Sequence, residues 1–93
     1  MEEHKNIVGP QVRQIRYRRG MKQKDLAAKL QRLGWWIDRA GVSKIEGRLV
    51  RVNDYRQLYL ARVLRVGVAD LFPVINPKEP FEGVLDKVMK KRQ

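Results

Sequence analysis

The sequence has 93 residues, 43% hydrophobic and 33% charged, which suffices for one small core and leaves little room for a second. Lysine and arginine number 21 against 10 acidic residues, and the net charge of +11 favours a polyanionic partner, nucleic acid first and an anionic membrane surface second. Given the absence of cysteine, the lack of a membrane-length apolar run and the polar start Met-Glu-Glu-His-Lys, neither a disulfide framework, a spanning helix nor a signal peptide is expected.

A cytoplasmic protein with no membrane partner is therefore expected. Enzymatic readings fare badly. The single histidine, His4, sits in a polar N-terminal tail, and Ser43, the single serine, lacks the glycines of a nucleophile elbow. With no Gly-rich phosphate loop and no cysteine, neither a metal site, a cofactor nor a nucleophile–histidine pair is implied.

In chain order, residues 1–7 read as a loose arm. A first helix is expected to start near Gly9-Pro10, where proline at the first helical position presets φ without removing a needed donor. It runs through Gln11–Arg19 and stops at Gly20, with Val12, Ile15 and Val8 as its buried edge and Arg13, Arg16, Arg18 and Arg19 making it basic. A second helix is expected over Gln23–Leu33. Leu26, Leu30 and Leu33 recur at helical spacing, Ala27 and Ala28 raise propensity, and Gly34 supplies a left-handed terminator. From Arg13 to Arg32 there are eight basic residues against one acid, Asp25, a bias that suggests one nucleic-acid-facing side.

Gly34-Trp35-Trp36-Ile37 forms the next turn. Adjacent tryptophans cannot both point the same way out of it. Trp35 is expected to fold back on Leu30 and Leu33 and be mostly buried, with Trp36 exposed beside the third helix. That helix, Arg39–Glu46, is led by an Asp38 cap. Val42 and Ile45 form its inward edge, while Arg39, Ala40, Gly41, Ser43 and Lys44 face elsewhere; a short helix with such an outer face is what a major groove admits.

A fourth helix is expected from the Asn53 cap to about Arg65, with Leu58, Ala61 and Leu64 inward and Leu60 and Tyr55 flanking. A short fifth helix, Val68–Phe72, lies between Gly67 and Pro73. Pro73–Pro80 contains three prolines and reads as an extended linker. Phe81, Val84, Leu85, Val88 and Met89 then form an amphipathic pattern ending in Lys90-Lys91-Arg92. Docking on the domain, dimerisation and disorder are all open to this tail.

Four strings stand in register: Gly-Met-Lys-Gln-Lys-Asp-Leu-Ala (20–27), Val-Ser-Lys-Ile-Glu (42–46), Leu-Ala-Arg-Val-Leu (60–64) and Asp-Leu-Phe (70–72). Together they resemble the phage-repressor type of helix-turn-helix domain, the Cro/cI or XRE-like family, over roughly Val8 to Pro73. The resemblance implies an all-α, compact five-helix domain over 8–73 that binds double-stranded DNA, followed by a linker and amphipathic tail over 74–93. It further implies a sequence-specific transcriptional regulator, a repressor acting as a homodimer on a near-palindromic operator.

By the same resemblance, Arg39, Ala40 and Lys44 fall at base-reading positions, with Gly41 beside them. Arg39 and Lys44 suit guanine O6 and N7, and Ala40 a thymine methyl. Gln23 matches a glutamine that touches the DNA backbone and braces the recognition helix, and Lys22 and Lys24 add charge there. Arg48 and Arg51, in the link between the third and fourth helices, are further DNA-backbone candidates. Arg16 and Glu46 correspond to a structural salt bridge between the first and third helices.

The chain also departs from the pattern. Lys22 replaces a capping Ser or Thr, and the second helix plus turn is about five residues longer than the usual tight connection. The usual glycine of the link comes one position early, at Gly47, leaving Arg48 where a left-handed residue is wanted. Gln57 replaces an apolar residue and Arg65 a terminal glycine. Two alternatives share the fold: an antitoxin or protein-interaction module whose tail covers a partner protein, and a basic RNA-binding helper.

Overall fold

The computed structural model describes residues 4–89. The chain forms α1 (Gly9–Arg18), α2 (Gln23–Arg32), α3 (Arg39–Glu46), α4 (Asp54–Leu64), a 3-10 turn (Val68–Leu71) and α5 (Phe81–Met89). No strand occurs among the described residues. The expected all-α architecture is what is observed, with the fifth helix reduced to a single 3-10 turn.

Each of the first four helices stops in the same way. At the end of α2 the Trp35 N–H donates to the Leu30 carbonyl (3.1 Å) and the Gly34 N–H to that of Gln31 (2.9 Å), with Gly34 at φ 101°. This paired bonding about a left-handed residue is the Schellman motif, and it satisfies carbonyls that the helix itself leaves open. The same pair of bonds closes α1 about Gly20, α3 about Arg48 and α4 about Arg65. Two of the four left-handed positions are thus arginines, at φ 63° and 60°, where a Cβ is disfavoured.

Helix starts are equally local. Asp38 Oδ1 accepts from the Gly41 N–H (2.8 Å) and Asn53 Oδ1 from the Arg56 N–H (3.0 Å), as the sequence suggests. At α2 the Lys22 side chain caps nothing, but Asp25 Oδ2 reaches back to the Lys22 N–H (2.8 Å) and supplies the reciprocal half of a capping box.

The buried cluster draws Val8, Val12 and Ile15 from the α1 side, Leu26, Ala27 and Leu30 from α2, and Val42 and Ile45 from α3. Leu60, Ala61 and Leu64 come from α4, and Leu71, Trp35 and Val52 from the connections. Each fully buried Leu or Ile contributes roughly 1.5–3 kcal/mol. Trp35 is buried at 9% exposure and Trp36 lies open at 85%, the ordering expected of the turn. Trp35 and the Tyr59 ring form a T-shaped pair (6.1 Å, 73°), and the Arg56 guanidinium lies over the Trp35 ring at 5.0 Å.

Three expectations need correction. On α4 the inward stripe is Gln57, Leu60, Ala61 and Leu64, not Leu58; Leu58 and Tyr55 are exposed, and Leu60 is fully buried. Gln57 holds the position of the missing apolar residue because its Nε2 donates to the Val52 carbonyl (3.2 Å) at the helix entrance. Leu33 is likewise exposed at the last turn of α2.

The second correction concerns the arm. Residues 4–7 are not loose: Asn6 Nδ2 donates to the Val50 (2.8 Å) and Ile45 (3.2 Å) carbonyls, while its Oδ1 accepts from the Gly9 N–H (2.8 Å). The Lys5 N–H adds a bond to the Arg48 carbonyl (3.0 Å). Gly9 is buried against the end of α3. A Cβ there would overlap the Ile45 carbonyl oxygen and stand 2.9 Å from that of Glu46.

The third concerns residues 73–80, which are not simply extended. Asn76 Oδ1 accepts from the Lys78 N–H (2.9 Å), and Glu79 Oε1 accepts from the Asn76 N–H (3.0 Å) and from Lys87 Nζ (3.1 Å). Lys87 is the leading reason the Glu79 carboxyl lies below its ordinary pKa. Helix α5 buries Val88 and leaves Phe81 and Leu85 exposed. Its expected basic end, Lys90-Lys91-Arg92, lies outside the described residues.

Candidate nucleic-acid interface

Helix α3 is held from three sides. It packs against α2 and α1, and buries Val42, Ile45 and Glu46. At its start the Ile37 side chain lies across Gly41, where a Cβ would stand 2.5 Å from Ile37 Cγ1, so glycine admits the lid. Gln31 Nε2 fixes the turn by donating to the Ile37 carbonyl (2.6 Å). What remains outward is Arg39, Ala40, Ser43 and Lys44, all exposed.

Beneath that face lies a buried polar chain. Arg16 donates to Glu46 through Nε–Oε2 (2.6 Å) and Nη2–Oε1 (3.0 Å), a bidentate pair with both side chains about nineteen-twentieths buried. Arg16 Nη1 also donates to the Met21 carbonyl (2.9 Å). The Glu46 hydrogen bond is the leading reason the Arg16 pKa is raised, against the opposing effect of burial. Gln23 Nε2 donates to Glu46 Oε1 (3.1 Å), and Gln23 Oε1 accepts from Arg39 Nη1 (3.3 Å). No described buried side-chain polar atom lacks a hydrogen-bond partner. The orientation of the buried carboxylate therefore passes through one amide to the exposed guanidinium of Arg39.

The structure gathers some of the sequence-nominated residues and separates others. Lys22, Gln23, Lys24 and Arg39 line one open cleft above the Arg16–Glu46 pair. Ala40 and Lys44 continue the exposed face of α3, and Arg51 is exposed on the following link. Arg48 is half-buried, and its Nη1 donates to the Val88 carbonyl of α5 (2.6 Å).

Two residues of the same cleft were missed as site residues, Arg13 and Tyr17. They stand one helical turn apart on α1, and that spacing was the available signal. The Tyr17 ring lies 4.7 Å from the Arg16 guanidinium and 5.6 Å from that of Arg13. Hydrogen bonding to Arg13, first among several causes, holds the Tyr17 hydroxyl below the ordinary tyrosine pKa. The described residues hold no group of three or more His, Cys, Asp or Glu able to bind a metal, and no helix long and apolar enough to cross a membrane.

With this geometry in place, the chain can be set beside known proteins. No family model matches it, and no curated protein does. Among solved structures it is similar to the crystal structure of the DNA-binding domain of BldD, at 24% identity and a TM-score of 0.63, over 78% of this chain and 100% of that one. The likeness shows the fold, an all-α bundle in which α2, its turn and α3 stand in a helix-turn-helix arrangement.

Proposed function

We propose that the protein is a sequence-specific double-stranded DNA-binding transcriptional regulator, a repressor working in the cytoplasm as a homodimer on a near-palindromic operator. Residues 8–73 carry DNA binding, with 74–93 as linker and tail. The reading rests on α3, which is clamped over a buried ion pair on one side and on the other presents two cations, an alanine and a serine to solvent. That combination meets the steric and chemical demands of a major groove.

In this reading Arg39, Ala40 and Lys44 face base edges. Lys22, Gln23, Lys24 and Arg51 contact phosphates, and Arg48 joins them when its bond to α5 is exchanged for one to DNA. A homodimer supplies two copies of α3, because one such helix carries too few readers to single out a site in a genome. A protein partner at the tail is the second reading; Phe81 and Leu85 support it, exposed while Val88 of the same helix is buried.

Selection of binding sites from random duplex DNA at fixed salt tests the first reading. The expected product is a two-fold-related motif with half-sites about 10 base pairs apart, bound by two protomers. Recovery of no motif, or of structured RNA in a parallel selection, would overturn it.

A further inference from the structure

We propose that Arg13 and Tyr17 of α1 form a seat for one DNA-backbone phosphate, the guanidinium supplying charge and the phenol hydroxyl a directed hydrogen bond. The inference rests on the DNA-binding reading above and extends the contact surface to a helix that the reading does not use.

Tyr17 is the starting observation. It is 61% exposed, yet it lies against two guanidinium groups instead of extending into solvent. Covering the Arg16–Glu46 pair explains the ring, since an apolar lid over a buried ion pair strengthens it. It does not explain the hydroxyl, which a phenylalanine would omit while covering the pair equally well. The Arg13 guanidinium, 5.6 Å from the ring centroid on the same cleft, is the leading cause holding the hydroxyl below the ordinary tyrosine pKa, so the phenol sits within the cationic rim.

The charge of that rim is one-sided. Glu46 is the carboxylate that lines the cleft, and it is already engaged by Arg16 and Gln23. Arg13, Lys22, Lys24 and Arg39 also line it, and none of them is ion-paired among the described residues. The rim thus attracts an anion. The cleft also runs to Arg39 and Ser43 on the outer side of α3, so a duplex lying along that helix brings its own phosphates to the opening. A phosphodiester is the anion that this proximity selects, with Arg13 as charge-assisted donor and Tyr17 Oη donating once its proton is turned outward.

Salt-dependent binding of Tyr17→Phe and Arg13→Gln to duplex DNA, on the selected site and on random sequence, is the test. Tyr17→Phe keeps the lid and should fold with an unchanged thermal midpoint. It should bind both DNAs about tenfold more weakly, since a hydrogen bond to a charged group is lost, with no change in salt slope because no charge is removed. Arg13→Gln should weaken both and reduce the slope of log K against log salt by about 0.9 per protomer. Wild-type-like binding by Tyr17→Phe overturns the seat while leaving the DNA reading intact. Loss confined to the selected site also overturns it, by making Tyr17 a base reader. If the wild-type protein binds no duplex at all, the DNA reading fails first and the seat falls with it.

Discussion

The guanidinium of Arg16 and the carboxylate of Glu46 meet through two parallel hydrogen bonds across the α1–α3 contact, almost wholly removed from solvent. Removing one partner leaves the other buried and unpaired, which costs ~3–5 kcal/mol, whereas a solvent-exposed pair is worth under ~1. Urea unfolding of Arg16→Ala, Glu46→Ala and the double variant should show two large losses that fail to add. Independent, additive effects would mean that the pair carries no coupling.

The close approach of α1 to the end of α3 makes a second prediction. Gly9→Ala must push apart two backbones rather than a flexible side chain, at about 1–3 kcal/mol of overpacking. Asn6→Ala should cost a similar ~1–3 kcal/mol, because carbonyls of Ile45 and Val50 lose their donor. Neither residue is near the outer face of α3, so a stability loss with unchanged DNA preference is the expected pattern.

The two tryptophans should behave as opposites. Trp35→Ala empties a site bounded by Tyr59 and Arg56 and should cost ~3–5 kcal/mol. Trp36→Ala should stay within about 0.5 kcal/mol. A Trp35→Phe variant leaves Trp36 as the sole indole, and its red-shifted emission would report the exposure directly.

Arg65 offers a gain. Its left-handed backbone carries a strain of about 1 kcal/mol that glycine does not bear. Arg65→Gly should therefore raise the thermal midpoint, since the bond from Arg19 Nη2 to the residue 65 carbonyl does not need the side chain. Arg48→Gly relieves the same strain but gives up the bond to the Val88 carbonyl, so its gain should be smaller.

Lys44 tests the interface itself. It is exposed on the outward face of α3, so Lys44→Ala should leave unfolding unchanged. If Lys44 reads a guanine, affinity for the selected site should fall by ~1–3 kcal/mol and that for random duplex much less. Equal losses on both would make it a phosphate contact.

Much of this fold was legible because its signals are local. The Asp38 and Asn53 caps, the Gly20 and Gly34 terminators and the opposed tryptophans each act within a few residues. Two features that the sequence did not disclose have the opposite property. Asn6 caps carbonyls 39 and 44 positions away, and Arg48 reaches a carbonyl 40 residues on. On α4 a polar residue, Gln57, took an inward place, so the apolar pattern pointed to its neighbour Leu58. At the interface, charge and register pointed to Arg39, Lys44 and the start of α2. Arg13 and Tyr17 escaped notice because α1 joins the cleft only once the Gly20 reversal lays its last turn beside α2.

The Asn6 clamp has a consequence for how the molecule opens. The segment it secures is short and held by the Asn6 side chain and the Lys5 N–H rather than by buried apolar area, which places it among the least costly parts to release. Its partners, however, belong to the last turn of α3 and the link that follows. Hydrogen exchange should therefore find the amides of residues 48–50 opening by a sub-global route, while those of α2 wait for complete unfolding. The far end of α3 would then loosen and tighten with the leading arm, well before the core gives way.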